Sequence, residues 1–130
     1  MADLSSSPIL ILNRDLFFGV RLRQALAADG WSPRIVPSPE ALIGALDPAS
    51  PAALVIIDMA TDPDWATLVS AIRDQDPDLP VLAFGAHKDV DRFRAAKAGG
   101  VTRVISNGDF HRDMTGVVRR YARARGSAEA

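Results

Sequence analysis

The chain contains no cysteine. That single absence removes disulfides, thiolate zinc sites and cysteine nucleophiles, and it accords with a reducing compartment. Histidine is nearly absent as well: only His87 and His111 occur, too few for a histidine metal site, and a surface role is the default for both. Aromatic residues are sparse, and they lack the interleaving with basic residues that marks nucleic-acid-binding modules. Net charge is −1, so no global field attracts a polyanion or a membrane surface. No apolar run approaches the roughly 18 residues needed to span a bilayer. The start, MADLSSSP, has no basic stretch followed by an apolar one, so it does not read as a secretory signal. Glycine-rich phosphate loops are missing too: no GxGxxG occurs, and no His/Ser or Cys/His pair stands at a strand end. A nucleotide binder or a small flavodoxin-like enzyme therefore lacks its usual signs. The expectation is a cytoplasmic protein that is not an enzyme, with no nucleic-acid and no membrane partner.

What is present is enough apolar material for a core. Hydrophobic residues make up 48% of 130 residues, so one domain folds without staples. That domain is expected over 8–125, with 1–7 and 126–130 as flexible ends. Short apolar runs alternate with helical patterns. Ile9 to Leu12 reads as a strand covered on both faces. A helix follows from about Asp15 to Asp29, with Leu16, Val20, Leu22, Leu26 and Ala27 as its apolar stripe and Gly30 as its stop. Trp31 to Val36 is a weaker strand, sent to a sheet edge by Pro33. Ser38 and Pro39 open a short helix ending near Leu46. Ala53 to Ile57 is the strongest buried strand, and Asp58 ends it. A helix over about Asp64 to Asp74 turns Trp65, Leu68, Val69 and Ile72 to one side. Val81 to Phe84 forms the next strand and stops at Gly85. A helix from Val90 to Ala98 ends at Gly99-Gly100, a helix stop and not a phosphate loop. Val101 to Ser106 is the last strand, and one helix is expected from Asp109 to Arg125. Its arginines, Arg112, Arg119, Arg120, Arg123 and Arg125 against Asp113, read as a solvated face near a helix C-terminus.

Strands alternating with helices imply a doubly wound α/β fold with a parallel sheet and right-handed crossovers. In such sheets a site lies beyond the carboxyl ends of the strands. That edge presents Asn13, Arg14 and Asp15, then Asp58, then Gly85, Ala86 and His87, then Ser106 and Asn107.

At these positions the chain resembles the receiver domains of bacterial response regulators, from Ile9 to about Tyr121. The segments are ILILNRD (9–15), LVIIDM (54–59), PVLAFGA (80–86) and AKAGGVTRVIS (96–106), and their order and spacing together carry the resemblance. It implies a flavodoxin-like (β/α)5 fold with a five-stranded sheet ordered 2-1-3-4-5. Typical receivers hold Mg²⁺ on an acidic pair after the first strand and accept a phosphoryl group on an aspartate ending the third. A Thr or Ser ends the fourth strand and a Lys ends the fifth. The metal offsets charge growing on the phosphoryl group, while hydroxyl and ammonium bind its oxygens.

Carried onto this chain, Asp58 takes the phosphoacceptor position. The acidic pair reads Asn13-Arg14. The Thr/Ser position reads Gly85, and the Lys position reads Ser106, or Asn107 if the alignment slips by one. Asp15, one residue past the pair, is either an extra acid able to act as a lone metal ligand or the N-cap of the first helix. Arg14 is expected to pair with Asp58 in the metal's place. No cofactor is expected, and Mg²⁺ is expected to bind weakly or not at all. The implied function is a signalling receiver module of the two-component type, working by protein–protein contact with weak or no phosphorylation. The alternative is a working single-domain receiver phosphorylated at Asp58 by a histidine kinase. Partners would be that kinase or an output protein, and a homodimer is allowed. The resemblance puts output on the face of the fourth helix, fifth strand and last helix, where Arg92, Lys97, Arg103 and Arg119 would be exposed.

Overall fold

The computed structural model describes residues 8–123. Both ends expected to be flexible, and residues 124–125 of the expected domain, lie outside the described residues. Five strands, β1 (Pro8–Leu12), β2 (Ser32–Val36), β3 (Leu54–Asp58), β4 (Val81–Gly85) and β5 (Arg103–Ser106), pair in parallel in the order β2-β1-β3-β4-β5. The helices between and after them are α1 (Leu16–Ala28), α2 (Pro39–Ala45), α3 (Trp65–Gln75), α4 (Val90–Ala98), α5 (Asn107–Arg112) and α6 (Met114–Tyr121). A single 3-10 turn, Met59–Thr61, follows β3 directly. The sheet order is the one the resemblance implies.

The helices sort into two layers because alternate strand residues point to opposite faces. Leu10, Leu12, Val55 and Ile57 pack with Leu42 of α2, Leu68 and Ile72 of α3 and Ala96 of α4. Ile9, Ile11, Leu54 and Ile56 pack with Phe18, Leu22 and Leu26 of α1, Phe110 of α5 and Val118 of α6. Every residue of β3 and β4 is buried, as near-continuous apolar runs covered on both faces require. Pro33 sits in the edge strand β2, opposite Ile9. Each helix starts on a side-chain cap: Asp15, Ser38, Asp64, Asp89, Ser106 and Asp113 each accept from the N–H three residues on. At the other ends Gly30 and Gly100 take φ of 90° and 99°, a conformation that suits glycine.

Three expectations need correction, two of them about helix geometry. The stripe of α1 keeps Leu22 and Leu26, which are buried as expected, but its third member is Phe18: Leu16 is 83% exposed, Val20 43% exposed, and Ala27 is exposed as well. The helix is apolar on both sides, so spacing alone did not choose between them. The last helix is also not continuous. It breaks at Asp113, which ends α5 and caps α6 through the Gly116 N–H at 3.1 Å. An aspartate that satisfies a backbone N–H starts a new helix more readily than it continues an old one.

The arginines of this region are not simply a solvated face. Arg119 forks onto Asp29 at the end of α1, and Arg112 pairs with Asp109 at 3.1 Å. Arg123 stitches the end of the described chain to the sheet. Its backbone N–H donates to the Ala53 carbonyl at 3.0 Å, its guanidinium donates twice to the Ala52 carbonyl, and it forks onto the Asp76 carboxylate after α3. The Arg123 hydrogen bond holds the Asp76 carboxyl below its ordinary range. A depressed folded-state pKa gives stability that is present above the unfolded pKa and lost as pH falls through the folded one. Arg123→Ala is expected to cost about 1–2 kcal/mol near neutral pH, discounted for partial exposure. The deficit should shrink in strong acid, where Asp76 is protonated in both proteins. Urea unfolding of the two proteins at both pH values measures this, and an equal deficit at each would assign the loss to the carbonyl contacts alone.

Candidate functional site

The parallel register brings the ends of β1, β3, β4 and β5 to one edge, with Asp58 beside Phe84 and Gly85 beside Ser106. Asp58 is the single charged residue that is buried among the described residues, at 7% exposure. Its Oδ1 accepts from the Ala60 N–H at 2.9 Å and its Oδ2 from the Arg14 N–H at 3.5 Å. Its carbonyl accepts from Thr61 Oγ1 at 2.6 Å. The carboxylate therefore both ends β3 and caps the 3-10 turn, a local role that Asp fills often.

The expected Arg14–Asp58 ion pair does not form. The Arg14 side chain is exposed, and Arg14 approaches Asp58 only through its backbone N–H. The reason lies in the turn after β1. Asn13 Nδ2 donates to the Asp15 carbonyl at 2.7 Å, and Asn13 Oδ1 accepts from the Asp15 N–H at 3.4 Å. This tight turn aims the amide of residue 14 inward and its side chain outward. Of the two roles open to Asp15, the structure has the cap: its Oδ1 accepts from the Phe18 N–H at 3.1 Å.

At the fifth strand, Ser106 caps α5 by accepting from the Asp109 N–H at 3.1 Å, while Asn107 lines the cleft over Asp58. His87 is exposed beyond β4. Gly85 is buried, and a Cβ built there would lie 2.2 Å from Met59 Cε and 3.0 Å from Met59 Cβ. Met59, itself 1% exposed, thus fills the space that a hydroxyl-bearing side chain at residue 85 would need.

A cleft of about 110 Å³ remains, lined by Asp58, Ala60, Asp89, Arg92 and Asn107 among others. Arg92 in this cleft was not legible as a site residue. It donates to Asp89 at 2.7 Å and reaches Asp62 at 3.5 Å, tying α4 to the loop after Asp58. The hydrogen bond from Arg92 lowers the Asp89 pKa, and the Asp89 contact raises that of Arg92. The one available signal was the spacing of Asp89 and Arg92, an N-cap with a cation one turn later. The expected output face loses two free cations as a result, since Arg92 and Arg119 both serve contacts within the molecule. Lys97 and Arg103 remain exposed.

The residues do not fit the divalent ion of typical receivers. Asn13 and Asp15 are engaged in the turn and the cap, residue 14 is a cation, and the other carboxylate of the cleft, Asp89, is held by Arg92 and by the start of α4, so Asp58 has no free acidic partner for a metal there. Among the described residues, no group of three or more acids and histidines comes together to hold a metal.

No family model matches the chain, and no curated protein does. Solved structures do. The non-phosphorylated HemR receiver domain from Leptospira biflexa superposes with a TM-score of 0.72 at 19% identity, covering 88% of this chain and 93% of that one. CheY4, a chemotaxis protein of Vibrio cholerae, gives 0.72 at 14% identity over 89% of this chain and 98% of its own. The fold is that of a receiver domain. A CheY-like protein, TadZ of Pseudomonas aeruginosa PAO1, gives 0.68 at 24% identity over 88% of this chain and 98% of its own. Within the receiver fold, Asp58 ends the third strand in sequence, which is the central strand of the sheet. No helix among the described residues is long and apolar enough to cross a membrane.

The Met59–Gly85 contact makes a quantitative prediction. Gly85→Ser should destabilise the domain by about 1–3 kcal/mol through overpacking. Met59→Ala should cost about 2–5 kcal/mol through the cavity it leaves. The double variant should be more stable than the sum of the two, by a coupling of roughly 0.5–3 kcal/mol. Denaturant unfolding of all four proteins completes the cycle, and strict additivity would mean that Met59 does not occupy the space.

Proposed function

We propose that the chain is a receiver-type signalling module of the two-component class that works by protein–protein contact, with Asp58 phosphorylated weakly or not at all. The observation that carries this reading is the packing of Met59 against Gly85, beside a buried Asp58 whose oxygens already accept backbone N–H groups. Phosphoryl transfer to a carboxylate needs charge stabilisation on the transferred group, and one preorganised contact is typically worth ~3 kcal/mol. The chain supplies no acidic pair at residues 13 and 14 for a metal, no hydroxyl at residue 85 and no ammonium at residue 106. The backbone groups of the 13–15 and 58–61 turns, with Asn107 and an Arg92 already held by Asp89 and Asp62, are what is left to meet that charge.

The second reading, a working receiver phosphorylated at Asp58 by a histidine kinase, draws support from the same carboxylate at the end of β3. The two readings separate in one experiment. The protein is incubated with acetyl phosphate and Mg²⁺, and its intact mass is followed beside that of Asp58→Asn. The expected result is an unmodified majority in both. A large phosphorylated fraction, abolished in Asp58→Asn, would replace the first reading by the second. Partner recognition under either reading is proposed to involve Lys97 and Arg103, whose charge suits an acidic surface and acts more on encounter rate and specificity than on affinity.

A further inference from the structure

Two surfaces are left uncovered among the described residues, and they complement each other. The first is the outer side of α1. Leu16, Phe17 and Val20 stand at i, i+1 and i+4, so they share one side of the helix. They are 83%, 86% and 43% exposed. Helix α1 contains no acidic residue, and Arg14, Arg21 and Arg23 are exposed around the apolar patch. The two acids that flank the helix are engaged: Asp15 caps it and Asp29 receives Arg119. An exposed apolar stripe on the side opposite a buried one is unusual for a helix that has only one neighbour layer.

The second surface is a groove between α2 and α3, about 380 Å³ in volume. Its walls are apolar, from Pro39, Ile43, Leu68 and Ala71, and the charges at its rim, Glu40 and Asp64, are both acidic. Patch and groove thus match in polarity and are opposite in charge.

Helix α1 belongs to one layer over the sheet, and α2 and α3 belong to the other. No molecule can therefore place its own patch in its own groove. We propose that α1 of one molecule docks, through Leu16, Phe17 and Val20, into the α2–α3 groove of a second copy, with Arg21 and Arg23 facing Glu40 and Asp64. The contact is head-to-tail. Each added molecule leaves one free patch and one free groove, so association continues as an open chain unless its rotation closes a ring. The inference does not depend on whether Asp58 is phosphorylated, since no atom of that cleft takes part.

Complementation between two broken molecules tests it. Leu16→Ser with Phe17→Ser removes the patch, and Glu40→Lys with Thr67→Lys reverses the charge of the groove. All four positions are exposed, so both variants should melt close to the unaltered protein by circular dichroism. Sedimentation velocity of the unaltered protein should show a coefficient that rises with concentration, and the rise should weaken with added salt. Each double variant alone should need at least roughly tenfold more protein to associate, as losing the central anchors of a contact implies. An equimolar mixture should form a one-to-one dimer and nothing larger, because one intact patch then meets one intact groove. An unaltered protein that stays monomeric at high concentration would overturn the proposal, as would an association that survives in either variant. A mixture that remains monomeric when the unaltered protein associates would also overturn it, since the contact would then be between like surfaces.

Discussion

Leu54 to Asp58 is a strand with every side chain buried, and the other elements exist to keep it so. A parallel strand must be covered on both faces, which demands helices on both sides. It must also run in the same direction as its neighbours, which brings the ends of β1, β3, β4 and β5 together at one edge. A carboxylate at the end of such a strand has little water to turn to. A buried charge is tolerated only where hydrogen bonds meet it. For Asp58 those bonds come from the two turns at that edge, through the N–H groups of Arg14 and Ala60. The position of the site and its backbone cradle are thus consequences of how the sheet is buried.

The same demand explains why side chains around the edge have so little chemistry left. Asn13 closes the turn after β1, Asp15 caps α1, and Ser106 caps α5. Each is engaged by backbone groups within three residues. At the fourth strand the effect is steric. Without a Cβ at Gly85, the buried Met59 closes over the strand end. Overpacking a dense interior is destabilising, as is leaving a hole in it. Gly85 and Met59 therefore act as a matched pair.

Much of this was legible in the amino-acid sequence, because most of it is periodic or local. The central strands are continuous apolar runs. Ser38 caps the second helix as its place before Pro39 implies, Asp15 takes the cap that was one of its two expected roles, and the helix stops at Gly30 and Gly99-Gly100 are glycines at their expected places. The misses have a common cause, which is that competing local and tertiary preferences look alike in one dimension. Helix α1 carries apolar residues on both sides, so which side is buried depends on Phe18 meeting Phe84 and Phe110 on one face of the sheet, with ring centroids at 5.1 and 5.6 Å. Asp113 lies within an otherwise helical pattern, and only its bond to Gly116 shows that it starts a helix. Arg14 was expected to point its guanidinium at Asp58, and the amide points there instead. Backbone direction within a three-residue turn is not written in residue type.

Arg92 shows how the cleft is nevertheless joined to the rest of the molecule. It lies on α4, whose N-cap Asp89 holds it, and it reaches Asp62, the one non-glycine residue at positive φ among those described. Asp62 ends the turn that Asp58 begins. A left-handed backbone at a non-glycine residue persists where its surroundings hold it. The Arg92 contact to Asp62 is exposed and individually weak, but Arg92 is anchored twice and the turn is anchored by Asp58. The placement of α4 and the shape of the loop over Asp58 are therefore set together. Lys97 lies on the same helix as Arg92, so its position is tied to this loop, and that physical link requires no chemistry at Asp58.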